Sequence, residues 1–403
     1  MKHLYVGIDV HSKTHRVALL PLQLIEGVSA EWKNVKPISI RNNLADYKRV
    51  DSLIRAQVPA IEDASIAIDF TGGHYSEPIT HFLLSKGYSV FHLTPMGVKA
   101  AKERFLGEEN KTDNIDAITS AYLLYLRDVH GTSLHITATS PDLESKAALL
   151  RSLVVQRHQY RKLITQSSNR LHVYLHAVFP EAEEAHFKTL LRIIPQYPTP
   201  KDITRSRGLL NIPRIPRKVR ADIITWAKQT VGVPPETYKW LIQALCRQRS
   251  EAAKKRDEID AILCEEVRNH PYGPILLSFP SVKEIVAATI IGTVKDIKNW
   301  PSKRKFKKGM GVYGTVRQSG GKTPRNRHGL SGDRRCKHAL FMACLAGSRS
   351  TKDNDFRDYY FRQMDKGKAP LQALVRSMGK MAEIMYHCLQ NAESYVYQGK
   401  YTR

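Results

Sequence analysis

Apolar positions in the first 130 residues fall into short runs rather than a single helical stripe. LYVGIDV (4–10) and RVALLPL (16–22) are separated by a polar turn, which predicts a hairpin, and SIAIDF (65–70) and SVFHLTP (89–95) predict two more buried strands. Spacing of three to four predicts helices near 43–57, 75–86 and 112–126. The alternation predicts an α/β domain opening on a hairpin. A Rossmann arrangement is disfavoured, because the first strand leads into no G-x-G-x-x-G and no helix.

Beyond that domain the period changes. Leu143, Ala147, Leu150, Val154, Ile164, Leu171, Leu175 and Val178 recur at helical spacing, and so do Trp240, Leu241, Leu245, Ile259, Ile262 and Leu263. Two long helices are predicted, forming an antiparallel arm or a dimerising coiled coil. Between them Pro195, Pro198, Pro200, Pro213 and Pro216 predict short helices and turns. From about 271 the pattern is helical again, interrupted by GVYGTVRQSGGKTPRNRHGLSG. At 403 residues, the resulting division is 1–130, 131–270 and 271–403.

Charge changes the picture. The net charge is +25, yet residues 1–130 are neutral overall, whereas residues 295–337 carry 14 Lys and Arg against 2 acids. A focused basic stretch is the footprint of a polyanion, here nucleic acid by default. A merely solubilising face would intersperse acids. No apolar run is long enough to span a membrane and no signal peptide is evident, so the expected location is the cytoplasm. The five cysteines form no C-x-x-C pair, which points to small buried thiols rather than disulfides or zinc.

The acids are the candidate chemistry. Asp9 sits inside an apolar strand, where an unpaired carboxylate is expensive, and Asp69 repeats this at the end of SIAIDF. In KTDNIDA, Asp113 and Asp116 lie three apart on one helical turn, a mutually repulsive spacing. A solvated helix start accounts for the second pair alone. Taken together, two strand acids and two helix acids fit a pair of divalent ions serving phosphodiester displacement, with oxygen ligands suiting Mg²⁺ or Mn²⁺.

GIDVHSKTHRVAL, IAIDFTGGHY, GYSVFHLTPMGVKA and KTDNIDA together resemble the N-terminal domain of the DEDD-type insertion-sequence transposases, the bacterial family one-ten that includes the Piv invertases. LLRIIPQYPTPKDI resembles that family's middle, and LSFPSVKEIVAATIIGTVKDIKNW through VYGTVRQSGGKT its second domain. The resemblance implies a RuvC-like, RNase H type N-terminal domain, a helical coiled-coil arm and a small, mainly helical C-terminal domain. Its four acids fall on Asp9, Asp69, Asp113 and Asp116. The second is usually Glu; the shorter Asp69 requires a closer backbone or help from a neighbour such as Glu77. PSVK (280–283) stands where the family commonly has a glycine-containing hairpin.

Read alone, RQSGGK is a tight turn in a basic loop. In the family, Ser319 matches a serine implied to attack the scissile phosphate and form a phosphoserine link, with Arg317 and Lys322 stabilising phosphate charge. Lys303, Arg304, Lys305, Lys307 and Lys308 on one side, and Arg325, Arg327, Arg334 and Arg335 on the other, are candidates for backbone contacts with nucleic acid. His158 and Arg161, with Tyr359 and Tyr360 downstream, have tyrosine-recombinase spacing but read as arm surface.

The expectation is a Mg²⁺- or Mn²⁺-dependent serine recombinase acting on donor and target duplex DNA. The resemblance also implies an element-encoded structured guide RNA and a homo-oligomer, dimer or tetramer. The alternatives are a metal-dependent junction nuclease, which needs the acids but not Ser319, and a non-catalytic nucleic-acid-binding protein.

Overall fold

The structure, a computed structural model, describes residues 3–23, 35–69, 75–93, 98, 112–131, 136–138, 141–206, 212–317, 325–328 and 332–399. The chain divides into two compact units, residues 1–146 with 294–305 and residues 147–293 with 306–403.

The first unit is built on a six-stranded sheet. β1 (Leu4–Val10), β2 (Thr14–Pro21), β3 (Ile38–Arg41), β4 (Ala64–Asp69), β5 (Ser89–Leu93) and β6 (Ile136–Ala138) lie in the order β3-β2-β1-β4-β5-β6. β2 is antiparallel to β1 and β3, β4 is parallel to β1 and β5, and β6 is antiparallel to β5. An antiparallel hairpin feeding a parallel pair is the order that fits an RNase H-like fold. Because β6 extends the sheet past residue 130 and residues 294–305 cluster with this unit, it is larger than 1–130. The short strands β3 and β6 carry too few residues for a period-two pattern to register.

Alternation along β1 sorts its side chains onto two faces. Leu4, Val6, Ile8 and Val10 join Ile66, Ile68, Val50, Ile54, Ile79 and Leu83 in a core covered by α1 (Leu44–Arg55) and α2 (Glu77–Ser85). Tyr5 and Ala67 point the other way, into a core with Leu123 and Leu124 of α3 (Asp113–His130). Gly7 shares that face, and it lets α3 lie directly on the sheet. A Cβ on Gly7 would stand 1.9 Å from the Ala117 carbonyl oxygen and 2.5 Å from the Ala121 nitrogen.

In the second unit, α4 (Pro141–Val178, from Ala147 on) and α8 (Glu236–Arg268) run antiparallel within one chain. Arg157 pairs with Asp260, the Ser167 hydroxyl lies 3.1 Å from Gln248 Oε1, Arg249 Nε donates to Ser168 Oγ at 3.1 Å, and Tyr174 stacks on Tyr238. From Arg157 to Tyr174 along α4 the partners on α8 run back from Asp260 to Tyr238, so the arm closes on itself. Between them lie α5 (Pro180–Ile193), α6 (Pro200–Arg205) and α7 (Arg217–Gln229), packed with the arm's end around Leu171, Phe179, Ile193, Ile223 and Ile242. Pro180 and Pro200 occupy first-turn positions, where the missing N–H costs nothing, so these prolines start helices rather than break them.

The remainder is α9 (Gly273–Leu277), α10 (Glu284–Val294), α11 (Lys303–Gly309), the hairpin β7 (Gly314–Arg317) and β8 (Arg325–His328), then α12 (Arg334–Ser348), α13 (Asp355–Asp365) and α14 (Pro370–Asn391). In the turn before α10, Ser281 takes a left-handed φ of 63°, a conformation that favours glycine. Cys246, Cys336, Cys344 and Cys388 are buried free thiols and Cys264 is half-buried, as their spacing predicts. Among the described residues, no helix is long and apolar enough to cross a membrane.

Candidate functional site

The alternation that buries Leu4, Val6 and Ile8 on one face puts Asp9 on the α3 face, beyond Tyr5 and Gly7. β1 and β4 are in parallel register through Ile8 and Ile68, so Asp9 and Asp69 follow one step later on neighbouring strand ends. They are 3% and 7% exposed. α3 starts at the same edge. Thr112 caps it, accepting from the Ile115 N–H at 3.3 Å, and Asp113 and Asp116 occupy its first turn at the positive end of the helix dipole. Asp113, Ala117 and Ala121 share one stripe, so the contact of Gly7 with Ala117 and Ala121 sets how near Asp113 comes to Asp9.

His11, which the sequence reading passed over, joins two of these acids. Its Nε2 lies 2.9 Å from Asp9 Oδ2 and 3.3 Å from Asp113 Oδ1. The turn that carries it is held by His15, fully buried on β2, whose Nδ1 accepts from the His11 backbone N–H at 3.3 Å. Burial pushes the His15 pKa below its usual value, which keeps the ring neutral and Nδ1 an acceptor. The only signal in the sequence was the presence of His11 two residues after the strand acid.

Asp9 is the electrostatic focus. Burial raises its pKa, the His11 charge and hydrogen bond oppose that, and Asp116 and Asp113 raise it further. A carboxylate held among like charges in a desolvated place gains from a cation. Asp9, His11 and Asp113 offer ligand atoms that all lie within 4.8 Å of one another. Ions with bonds of about 2.0–2.1 Å in octahedral geometry bring adjacent donors about 3.0 Å apart, which the His11 separations match. The donor set therefore fits a divalent ion, with one nitrogen among the oxygens. Asp69 and Asp116 belong to the same edge but not to this close trio. Glu77, at the start of α2, is exposed and is not part of it.

The basic candidates divide. Lys303, Arg304, Lys305 and Lys308 are exposed on α11, while Lys307 is half-buried and 3.6 Å from Glu383. Arg334 is exposed at the start of α12. Arg335 is half-buried beside Asp333, which caps that helix by accepting from the Arg335 and Cys336 N–H groups. Arg317 and Arg325 face each other in the β7–β8 register, and Arg327 lies further along β8. Ser319 and Lys322 fall between these strands in sequence and lie outside the described residues. His158 and Arg161 are exposed on α4.

Comparison with known proteins agrees with this architecture. Residues 6–180 match a family described as transposase, the DEDD type of IS110, and residues 273–361 match the transposase IS116/IS110/IS902 family. The chain is also 24% identical over 405 residues to an uncharacterised 43.6 kDa protein of insertion element IS110 from Streptomyces coelicolor, across 97% of this chain and 95% of that protein. The first match spans the sheet from Val6 on, with the acids, and all of α4, and the second spans the basic hairpin. The protein belongs to the IS110 family of transposases.

Proposed function

We propose that this transposase cuts and rejoins DNA through a phosphoserine link, using a divalent ion, Mg²⁺ or Mn²⁺, and an element-encoded guide RNA that pairs with donor and target duplexes. The reading rests on one observation above others: Asp9, His11 and Asp113 converge where β1 ends and α3 begins, with Asp116 and Asp69 at the same edge. When bound there, the ion supplies charge neutralisation at phosphate and acidifies an attacking hydroxyl. Asp9 and Asp113 would hold it with His11, and Asp69 and Asp116 at the same edge would complete the acid set. The Ser319 oxygen forms a bond to phosphorus, the bond from phosphorus to the departing sugar oxygen breaks, and the seryl proton ends on that oxygen. Arg317 and Lys322 balance charge on the phosphate, while the basic residues from Lys303 to Arg335 position the backbones.

As functional segments inside the two compact units, 1–130 would then carry the metal chemistry, 131–270 the arm and 271–403 the nucleophile. Because acids and serine sit far apart in sequence, a dimer or tetramer acting in the bacterial cytoplasm is the expected working form. A nuclease that uses water is the competing reading, since the acid group needs nothing from Ser319. The test is Ser319→Ala. The covalent protein–DNA adduct, seen as a denaturation-resistant band, should vanish while duplex binding persists. Wild-type cleavage by the variant would overturn the serine mechanism in favour of the nuclease.

A further inference from the structure

His15 is out of keeping with its place. It stands on β2 opposite Val10 of β1 and Ile40 of β3, with Val17 next on the same face, and it is fully buried. These neighbours are aliphatic members of the core covered by α1 and α2. Its Nε2 has the Asn42 side chain nearby but no well-aligned hydrogen bond, and Asn42 Oδ1 already accepts from the Tyr47 hydroxyl. A buried polar atom so poorly matched destabilises a fold, and leucine would fill this position without that cost. Packing gives no reason for an imidazole at 15.

The other ring nitrogen does. Val10 and His15 are the closing pair of the β1–β2 ladder, and residues 11–14 make the turn between them. His15 Nδ1 accepts the His11 backbone N–H at 3.3 Å, which ties the first residue of the turn to the last rung of the ladder. Held there, residue 11 continues the alternation of β1, so its side chain returns to the face that carries Asp9. The His11 side chain is 44% exposed, so neighbouring side chains do not cage the ring and the backbone that carries it sets its direction. The bond to His15 thereby fixes where His11 Nε2 stands, 2.9 Å from Asp9 Oδ2 and 3.3 Å from Asp113 Oδ1.

We infer that His15 is a positioning residue for the ion site: it accepts the His11 N–H so that the His11 imidazole ligates the divalent ion through Nε2, beside Asp9 and Asp113. This role rests on the metal reading of the proposed function and adds to it a nitrogen donor and the residue that aims it. Groups hydrogen-bonded to a ligating residue fix its orientation, and losing one costs about 10–100-fold in metal affinity. The class of ion narrows as well, since imidazole suits Mn²⁺ better than Mg²⁺.

The test is Mn²⁺ binding to the full-length protein, with affinity from titration and nitrogen ligation from ¹⁴N modulation of the electron spin echo. Wild-type protein should show the modulation of a bound imidazole, and His11→Ala should abolish it. His15→Leu removes the acceptor yet suits the core: the metal-free melting temperature should hold or rise, while Mn²⁺ affinity falls about tenfold or more and the modulation disappears. In His15→Asn the amide Oδ1 takes the place of Nδ1, so modulation should survive and affinity stay close to wild type. His15→Val, a smaller side chain for the same strand, repeats the test should leucine overfill the site. Modulation that persists in His15→Leu and His15→Val, or that is lost in His15→Asn as well, overturns the inference, and so does wild-type Mn²⁺ bound without nitrogen modulation. A lower melting temperature in both His15→Leu and His15→Val overturns it too, because the imidazole would then serve the fold. If wild-type protein binds no Mn²⁺, or Asp9→Asn binds it undiminished, the metal reading itself fails.

Discussion

Gly7→Ala tests how the sheet sets the acid site. The added methyl would stand 1.9 Å from the Ala117 carbonyl oxygen and 2.5 Å from the Ala121 nitrogen, against ordinary contact beginning near 3.4 Å. Both obstacles are backbone, so no rotamer change relieves the clash, and α3 has to retreat by about 1.5 Å. Overpacking of this kind costs about 1–3 kcal/mol, or roughly 3–10 °C in melting temperature for a unit of this size. The same retreat carries Asp113 away from the His11 Nε2, now 3.3 Å from Asp113 Oδ1, while the 2.9 Å contact of that nitrogen with Asp9 stays with β1 and its turn, so the trio opens on one side. A misplacement of about 1 Å in a catalytic constellation costs on the order of 100-fold. DNA cleavage by the folded variant, measured well below its melting temperature, should therefore fall by at least that factor while duplex binding persists. Trimming Ala121 to Gly should not rescue it, because the clash is with backbone. A Gly7→Ala protein that melts and cuts like the wild type would show that α3 does not control the site.

Asp116→Asn should abolish cleavage and leave DNA binding largely intact, and His11→Ala should reduce affinity for Mn²⁺ more than for Mg²⁺ in direct titration, because an imidazole favours the softer ion. Wild-type cleavage in EDTA would refute the metal site altogether. RNA-free protein should bind duplexes weakly, without sequence preference and with steep salt dependence; undiminished specific recombination would exclude a guide RNA. His92, buried in β5 with Thr80 Oγ1 at 3.2 Å, has its pKa pushed from 6.5 to about 3, mainly by burial with Lys295 assisting. The unfolded chain therefore takes up a proton below pH 6.5 that the folded chain refuses, so stability falls with acid, by about 2 kcal/mol at pH 5. His92→Gln should flatten that slope in pH-dependent melting, and an unchanged slope would place the acid sensitivity elsewhere.

The strands around Asp9 and Asp69, the helix opening at Asp113 and the two arm helices were legible in the sequence because each is a local pattern: a run of period two or a stripe of period 3.6 long enough to stand out. Parity alone already placed Asp9 opposite Leu4, Val6 and Ile8. The arm's alternatives were not separable by pattern, since an apolar stripe does not say which partner covers it. Contacts such as Ser167 with Gln248 and Tyr174 with Tyr238 decided for pairing within the chain. Strands β3, β6, β7 and β8 carry only three or four residues each and draw their stability from neighbours far along the chain. His11 was invisible for a related reason: a histidine in a polar turn acquires meaning only when the sheet brings Asp9, and the packing of α3 on Gly7 brings Asp113, within reach of one ring. Sequence fixes what each segment can become on its own, whereas proximity between segments is settled by how their faces pack, and this protein's candidate sites are made of such proximities.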